Sequence, residues 1–206
     1  MRVLGHEINN SLTPIQSIAG SLRASQAATG SPDPDLTGGL AVIERRAESL
    51  GRFMSAYARL AGLPRPRMGS VDVGAWLRRA AELEKRLPVR VLPGPPTVIS
   101  ADADQLDQML INIVRNAVEA NLETGGAEVT IGWRPDGQIV DVVVEDEGPG
   151  IAETGNLFVP FFTTKPQGSG IGLALSRQIA EAHGGSLELE NRSGRRGCAA
   201  HIRLPR

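Results

Sequence analysis

The first third of the chain carries apolar residues at alternating steps of four and three positions. The two runs are Ile8, Leu12, Ile15, Ala19 and Leu22, and then Leu36, Leu40, Ile43, Ala47, Leu50, Met54, Tyr57 and Ala61. This spacing places each run along one stripe of an α-helix. Residues 29–35, Thr-Gly-Ser-Pro-Asp-Pro-Asp, separate the runs and have a composition typical of a turn. The pattern predicts an antiparallel helical hairpin.

A hairpin of two helices buries only one stripe of each and makes a poor core by itself. A two-fold dimer brings four helices together and closes such a core. We therefore expect residues 1–62 to be a dimerisation hairpin that forms a four-helix bundle in a homodimer. The next residues, 63–70, read Leu-Pro-Arg-Pro-Arg-Met-Gly-Ser and predict a proline-stiffened linker.

The pattern changes after the linker to a mixture of short alternating strands and amphipathic helices. The expected helices are Val71–Leu87 with Asp72 as N-cap, a helix from Asp102 to about Leu122, and Gly172–His183. The expected strands are Val89–Leu92, Val98–Ser100, Glu128–Arg134, Gln138–Glu145, Ser186–Asn191 and Ala199–Leu204, with a turn at Pro135-Asp136-Gly137. Because helices and strands do not alternate strictly, residues 71–206 predict an α+β sandwich with a mixed sheet and helices on one face.

Composition narrows the class of protein. The chain has 206 residues, 22 basic against 23 acidic side chains and a single cysteine, Cys198. The balanced charge argues against general nucleic-acid binding, and one cysteine excludes an internal disulfide. No apolar run approaches the ~20 residues that cross a bilayer. We expect a cytoplasmic location with no membrane contact by this part of the chain.

The helix that starts at Asp102 carries a polar stripe beside its apolar one. The stripe contains Gln105, Gln108, Asn112, Asn116 and Glu119. Asparagine is a poor helix former, yet two asparagines lie one turn apart here. Their amide oxygens suit a hard cation such as Mg²⁺. The alternative is that the stripe only meets solvent.

Two glycine clusters flank a loop that holds three of the four phenylalanines: Phe158, Phe161 and Phe162. Asp146 ends a predicted strand before the first cluster, where its carboxylate can accept the exocyclic amine of adenine. The second cluster opens a helix, and helix N-termini bind phosphate. The plainer interpretations are that Asp146 only caps a turn and that Lys165 is an exposed loop lysine. A dinucleotide fingerprint is disfavoured, because no strand directly precedes the second cluster.

These segments together resemble the catalytic domain of sensor histidine kinases. Residues 108–120 are similar to the asparagine box, 146–150 to the first glycine box, 158–165 to the phenylalanine box and 168–173 to the second glycine box. The resemblance implies that Asn116 holds Mg²⁺, that Asp146 binds adenine, and that residues ~148–170 form a lid over ATP, shortened between Ile151 and Phe158. The implied cofactor-binding residues are Asn112, Asn116, Asp146, Gly148, Gly150, Phe158, Thr164, Lys165, Gly168, Gly170, Gly172 and Leu173.

One position differs from the hydrolytic members of this superfamily. They have a glutamate that activates water one helical turn before the metal-binding asparagine, and this chain has Asn112 there. An amide is not a base. We therefore expect the site to hold ATP without readily hydrolysing it.

The start of the chain, His-Glu-Ile-Asn-Asn-Ser-Leu-Thr-Pro-Ile, resembles the phosphoacceptor box of the nitrogen-regulation-like branch of these kinases. On the helical stripe His6 falls at an outward position. The resemblance implies that His6 is phosphorylated from ATP, that Glu7 is the base, and that Asn10 supports phosphatase activity toward a response regulator. Ser11 stands where the family often has proline, although Pro14 remains, which shifts the expected helix bend.

Two rivals share the nucleotide boxes. One is a regulator or scaffold that binds nucleotide without phosphoryl transfer. The other is a serine kinase of the anti-sigma-factor type, for which the His-Glu hairpin has no use. In the resembled family, sensory and often inner-membrane segments precede the phosphoacceptor helix, so we expect the sequence to continue upstream in a longer protein.

Overall fold

The computed structural model describes residues 2–28, 33–151, 155–165 and 170–206. In the two N-terminal helices it describes the side chains of residues 12–26, 28, 33–48, 50–51, 54 and 57. The chain divides into two units: one contains the residues up to Leu63, and the other contains Pro64–Thr164 and Gly170–Arg206. We describe each unit by itself.

The first unit contains two long helices, α1 (Arg2–Ala28) and α2 (Pro34–Ala61), which pack against each other. Asp33 caps α2, because its Oδ1 accepts hydrogen bonds from the backbone N–H groups of Asp35 and Leu36 at 2.9 and 3.3 Å. Helix α2 therefore begins inside the segment predicted as a turn, with proline at its first position, where no N–H is needed. Residues 29–32 of that segment lie outside the described residues.

The predicted apolar stripe of α2 separates into two sets in the structure. Leu40, Ala47 and Met54, spaced seven residues apart, are buried, as is Ala19 of α1. The alternate positions remain 38–47% exposed: Leu36, Ile43, Leu50 and Tyr57. One heptad position thus closes the contact between α1 and α2, while the other leaves apolar surface uncovered in a single copy.

The second unit is built on a five-stranded sheet with the order β2-β4-β5-β7-β6. Its strands are β2 (Val89–Val91), β4 (Val129–Asp136), β5 (Ile139–Glu145), β6 (Ser186–Asn191) and β7 (Cys198–Pro205). The β2–β4 pair is parallel and the others are antiparallel. A separate two-stranded antiparallel sheet joins β1 (Gly69–Asp72) to β3 (Val98–Ala101). The expected mixed sheet is confirmed.

Three helices complete this unit: α3 (Val73–Leu83), α4 (Ala103–Thr124) and α5 (Gly172–Ala182). All three contact strands of the large sheet. Alternate strand residues face the helices and are buried, among them Ile131, Val142 and Ile202. The intervening residues carry charge, as Arg134, Asp141 and Arg203 do. This period of two fixes which face is apolar and explains the α+β architecture.

The structure differs from the sequence prediction at the start of the unit. Residues 71–72, expected to be helical, belong to strand β1, and α3 begins only at Val73. Asp72 is the N-cap as predicted, with its Oδ1 2.7 Å from the backbone N of Ala75. Gly69 and Ser70, expected in the linker, also belong to β1, because they pair with β3. The turn between β4 and β5 consists of Gly137, whose φ is +59°, and Gln138, whereas Pro135 and Asp136, also expected in the turn, belong to β4.

No helix among the described residues combines the length and the apolar character needed to cross a bilayer.

Candidate nucleotide-binding site

Helix α4 starts from a densely bonded cap. Asp102 accepts hydrogen bonds from its own first turn and, through Oδ2, from the backbone N of Arg67 at 2.7 Å. The Arg67 bond is the main reason that the pKa of Asp102 lies below its usual range. His183 Nε2 accepts from the backbone N of Asp102 at 3.0 Å, while Nδ1 donates to the carbonyl oxygen of Ile179 at 2.8 Å. His183 is thus structural, as predicted, and joins the end of α5 to the start of α4.

The polar stripe of α4 has three different environments. Asn112 and Asn116 are half-buried and lie one turn apart. Gln105 was expected in the same stripe, but it is buried, and its Nε2 donates to the carbonyl oxygen of Pro64 at 3.0 Å. Glu119 pairs with Arg115 at 3.2 Å. The two asparagines therefore remain as the candidate ligand-binding pair of this helix.

Asp146, directly after β5, is buried and firmly oriented. Its Oδ1 accepts hydrogen bonds from the backbone N of Gly148 at 2.8 Å and of Cys198 at 3.0 Å. Its own N–H donates to the carbonyl oxygen of Cys198 at 3.0 Å. Bonds to the ionised form stabilise a buried carboxylate. Burial, with Asp146 adding to it, raises the pKa of the neighbouring Cys198 thiol to about 12.

The first glycine segment after Asp146 packs directly on α4. A Cβ at Gly148 would lie 2.5 Å from the Cβ of Ala120, so only glycine fits this approach. The fully buried Asn121 also ties this segment to α4. Its Oδ1 accepts a hydrogen bond from the backbone N of Glu147 at 2.6 Å, and its Nδ2 donates to the carbonyl oxygen of Glu128 at 2.7 Å. Sequence reasoning missed Asn121, which lies five residues after Asn116 and therefore off the stripe defined by Asn112 and Asn116.

The second glycine segment ends at the start of α5. Gly170 has φ +64°, and a Cβ there would lie 2.5 Å from the carbonyl carbon of Phe161. Among the described residues no side chain caps α5, whose N-cap is Ile171, and its first turn has no acidic residue, whereas α2, α3 and α4 each start with a capping aspartate. A Cβ at Gly172 would lie 3.9 Å from Asn112 Cγ. An uncapped helix start, suited to phosphate, therefore lies beside the amide stripe.

The aromatic loop contacts both the second glycine segment and α5. The backbone N of Phe161 donates to the carbonyl oxygen of Gly170 at 2.8 Å. The guanidinium of Arg177 on α5 lies 4.8 Å from the centre of the Phe158 ring, a cation–π distance. Thr164 is exposed, and Leu173 lies in the first turn of α5. Gly168 lies outside the described residues, as do residues 152–154, where the shortened lid was expected.

The predicted phosphoacceptor residues lie on α1. The backbone positions of His6, Glu7 and Asn10 fall within Arg2–Ala28, but their side chains lie outside the described part of the chain. Their roles stay predictions.

Comparison with known proteins agrees with this geometry. The model of the histidine kinase-, DNA gyrase B-, and HSP90-like ATPase family matches residues 101–206, from the last residue of β3 to the end of the chain. This is more than half of the sequence and includes α4, Asp146 and both glycine segments. The chain belongs to this family.

Its relatives within the family are sensor proteins. Sensor protein FixL of Bradyrhizobium diazoefficiens is 34% identical over 98% of this chain and 42% of its own length. Sensor histidine kinase ZraS of Escherichia coli strain K12 is 30% identical over 93% of this chain and 42% of its own length. The predicted resemblance to sensor histidine kinases is confirmed, and the chain spans less than half the length of these two relatives.

A solved structure extends the likeness to the whole described fold. The histidine kinase ThkA, in complex with the response regulator protein TrrA, aligns with 98% of this chain and 59% of its own, with a TM-score of 0.67 and 25% identity. ATP binding follows from the family. No group of three or more His, Cys, Asp or Glu residues suited to a metal occurs among the described residues.

Proposed function

We propose that this chain is the phosphoryl-transferring core of a sensor histidine kinase, which moves the γ-phosphoryl group of ATP to the imidazole of His6. The observation that carries the proposal is the buried Asp146 carboxylate, oriented by two backbone N–H groups inside the region that matches the ATPase family. The sequence around His6 supplies the acceptor.

Asp146 recognises the adenine. Its bonds to Gly148 and Cys198 fix the plane of the carboxylate, so that one acceptor orientation is preorganised for the exocyclic amine. The first glycine segment lies alongside, and its position is fixed by the close packing of Gly148 on Ala120 of α4.

The uncapped start of α5 binds the phosphates. Free N–H groups and the helix dipole attract anions there, and Gly170 and Gly172 keep the backbone accessible. Thr164 and Lys165 of the phenylalanine box are proposed to contact the same phosphates. Phe158, Gly150, Gly168 and Leu173 complete the enclosure.

Asn116 would hold Mg²⁺ through its amide oxygen. The fit is reasonable, because Mg²⁺ keeps several waters and needs few protein oxygens besides those of the phosphates, and Asn116 is half-buried on the stripe that meets the start of α5. When bound, the ion neutralises phosphate charge.

The chain offers no base at the position where hydrolytic relatives activate water, because Asn112 stands there. The γ-phosphoryl group is therefore reserved for His6. In the transfer, the bond between the γ-phosphorus and the bridging oxygen breaks, a phosphorus–nitrogen bond forms and ADP leaves. Glu7 takes the ring proton, so that the imidazole ring of the phosphoramidate product carries no positive charge.

The implied partners are a second copy of this chain and a response regulator. The half-exposed stripe of α2 supports the homodimer, since a four-helix bundle would cover it. ThkA, to which this chain is similar, is described in complex with a response regulator, and we propose that the phosphoryl group passes from His6 to an aspartate of such a receiver. Asn10 is proposed to support the phosphatase reaction, in which water attacks the aspartyl phosphate of the receiver and releases inorganic phosphate. We expect these steps to occur in the cytoplasm.

The decisive experiment is labelling with ATP that carries radiolabel in its γ-phosphate, in the presence of Mg²⁺. We expect incorporation that is labile in acid and stable in base, with the modified peptide containing His6. Acid-stable label would instead identify a serine kinase. Nucleotide binding without label would support the regulator or scaffold.

A further inference from the structure

The end of strand β6 grips the first glycine segment from the side opposite α4. Asn191, the last residue of β6, accepts a hydrogen bond at Oδ1 from the N of Ile151 at 2.7 Å and donates from Nδ2 to the O of Ile151 at 2.9 Å. The next residue, Arg192, donates from Nη1 to the carbonyl oxygen of Asp146 at 2.8 Å. One strand end thus holds both ends of the segment 146–151.

Gly150 makes the Asn191 contact possible. Its φ is +82°, a conformation that favours glycine, and a Cβ there would lie 2.5 Å from Asn191 Oδ1. A side chain at position 150 would be strained and would also displace the amide. Glycine is therefore required twice at this position, once for backbone shape and once for the approach of Asn191.

The two bonds of Asn191 engage the donor and the acceptor of one residue. A rotation of the Ile151 backbone that keeps one bond lengthens or misaligns the other. The paired bonds consequently fix the orientation of the Ile151 backbone relative to the end of β6. That orientation matters because Ile151 ends the segment that begins at Asp146, the residue proposed to bind adenine.

We propose that Asn191 is a positioning residue for nucleotide binding, which acts through Ile151 to hold the segment 146–151 in place for the nucleotide. The inference rests on the proposed function, since it assigns the segment after Asp146 to the nucleotide. Asn191 itself need not touch ATP. The competing interpretation is that its two solvent-exposed hydrogen bonds only fix the shape of a surface loop and do not affect nucleotide binding.

The test compares Asn191→Ala, Asn191→Asp and the control Ser193→Ala, an exposed residue of the same turn. The ATP dependence of autophosphorylation and amide hydrogen exchange at Ile151 are measured for each. For Asn191→Ala we expect the KM for ATP to rise about threefold to tenfold, the scale of one or two modest hydrogen bonds, with kcat changed less than about twofold. Amide hydrogen exchange at Ile151 should accelerate.

Asn191→Asp keeps an acceptor for the Ile151 N–H but has no donor, so its KM for ATP should lie between those of wild type and Asn191→Ala.

The outcomes separate this inference from the proposed function. Faster exchange at Ile151 with an unchanged KM overturns it, because the bonds would then shape the loop without serving the nucleotide. A fall in kcat equal to the rise in KM, or the same change in Ser193→Ala, also overturns it. If wild type itself takes no label, the proposed kinase activity has failed; a fluorescent ATP analogue then measures affinity in the same variants, and equal dissociation constants overturn the role of Asn191 as well.

Discussion

The two units of the chain differ in how completely each covers its own apolar surface. In the sheet unit the large side chains Trp76, Leu106, Met109 and Ile202 are fully buried. In the helix pair α1–α2, the described side chains Ile15, Ile18 and Leu22 remain about half exposed, and the buried set is small. The sheet unit therefore has a core of its own, while the helix pair has a surface that suits further helices.

This difference has a functional counterpart. The candidate nucleotide-binding residues Asn112, Asn116 and Asp146 lie in the self-sufficient unit, and the candidate phosphoacceptor lies in the unit with the uncovered stripe. Nucleotide binding and phosphoryl acceptance should therefore be separable by mutation, and each substitution below tests whether an effect stays in its own unit.

The largest effect is expected from His6→Gln. Glutamine lacks a nucleophilic ring nitrogen, so labelling from γ-labelled ATP should disappear completely. Nucleotide affinity, measured with a fluorescent ATP analogue, should remain that of wild type, because the substitution lies in the other unit. His201→Gln, on the sheet, is the matched control and should keep its label. Labelling of His6→Gln at the wild-type rate would show that another residue is the acceptor.

Asp146→Asn should act in the opposite unit with the opposite signature. Asparagine keeps an oxygen that can accept from Gly148 and Cys198, but it replaces the second carboxylate oxygen by NH₂, which repels the adenine amine. An acceptor bond of this kind contributes ~1.5–3 kcal/mol, so affinity should fall about tenfold to a hundredfold.

Isothermal titration with a non-hydrolysable ATP analogue measures that loss, and the exposed Asp136→Asn, at the end of β4, serves as the control. If Asp146→Asn binds adenine nucleotides as wild type does, the assignment of the adenine pocket is wrong. Label at high ATP concentration should still appear, because His6 is intact.

Ile43→Glu tests the uncovered stripe itself. Ile43 is 47% exposed in one copy, so a charge there costs little in the monomer. In a four-helix bundle it would be buried, and an unpaired buried charge is strongly destabilising. We expect sedimentation velocity to show a shift from dimer to monomer, with ATP affinity unchanged. Val42→Glu, equally exposed but off the predicted stripe, should have the smaller effect; equal losses from both would argue against a bundle along this stripe.

Sequence reasoning succeeded where local signals agree with the final packing. Helix α4 follows from the Asp102 cap and its apolar period, and the β4–β5 hairpin follows from alternation around a glycine turn. Strand β1 was missed because its four residues are defined by pairing with β3, a contact distant in sequence. The same reason explains which parts of the candidate site could be predicted. Asp146 and the glycines are recognisable from their local sequence, whereas the hydrogen bonds between Asn191 and Ile151 join residues forty positions apart.

Gln105 and Asp107 show a further limit. Both look like surface residues of an amphipathic helix, yet Gln105 is buried against the chain that enters the unit, and Asp107 presents a buried oxygen to α3. Polarity alone does not reveal that a neighbouring backbone or indole covers a side chain. These positions could be assigned only once the packing of α3 on α4 was known.

The smallest predicted effect concerns Asp107. Burial raises the pKa of this carboxyl above its usual value, although Arg79 and the indole of Trp76 act in the other direction. A carboxyl with a raised pKa in the folded state favours folding when protonated, and this contribution is lost as the pH rises through the folded pKa. At neutral pH the ionised Asp107 therefore opposes folding. Asp107→Asn removes the charge and should raise the melting temperature of the sheet unit slightly at pH 7. The gain should vanish toward pH 3, where Asp107 is protonated in both states. Thermal unfolding across this pH range measures it, with the exposed Asp136→Asn as control, because the charge of Asp104 itself contributes to the raised pKa of Asp107. A gain that is independent of pH would mean that packing rather than ionisation is responsible.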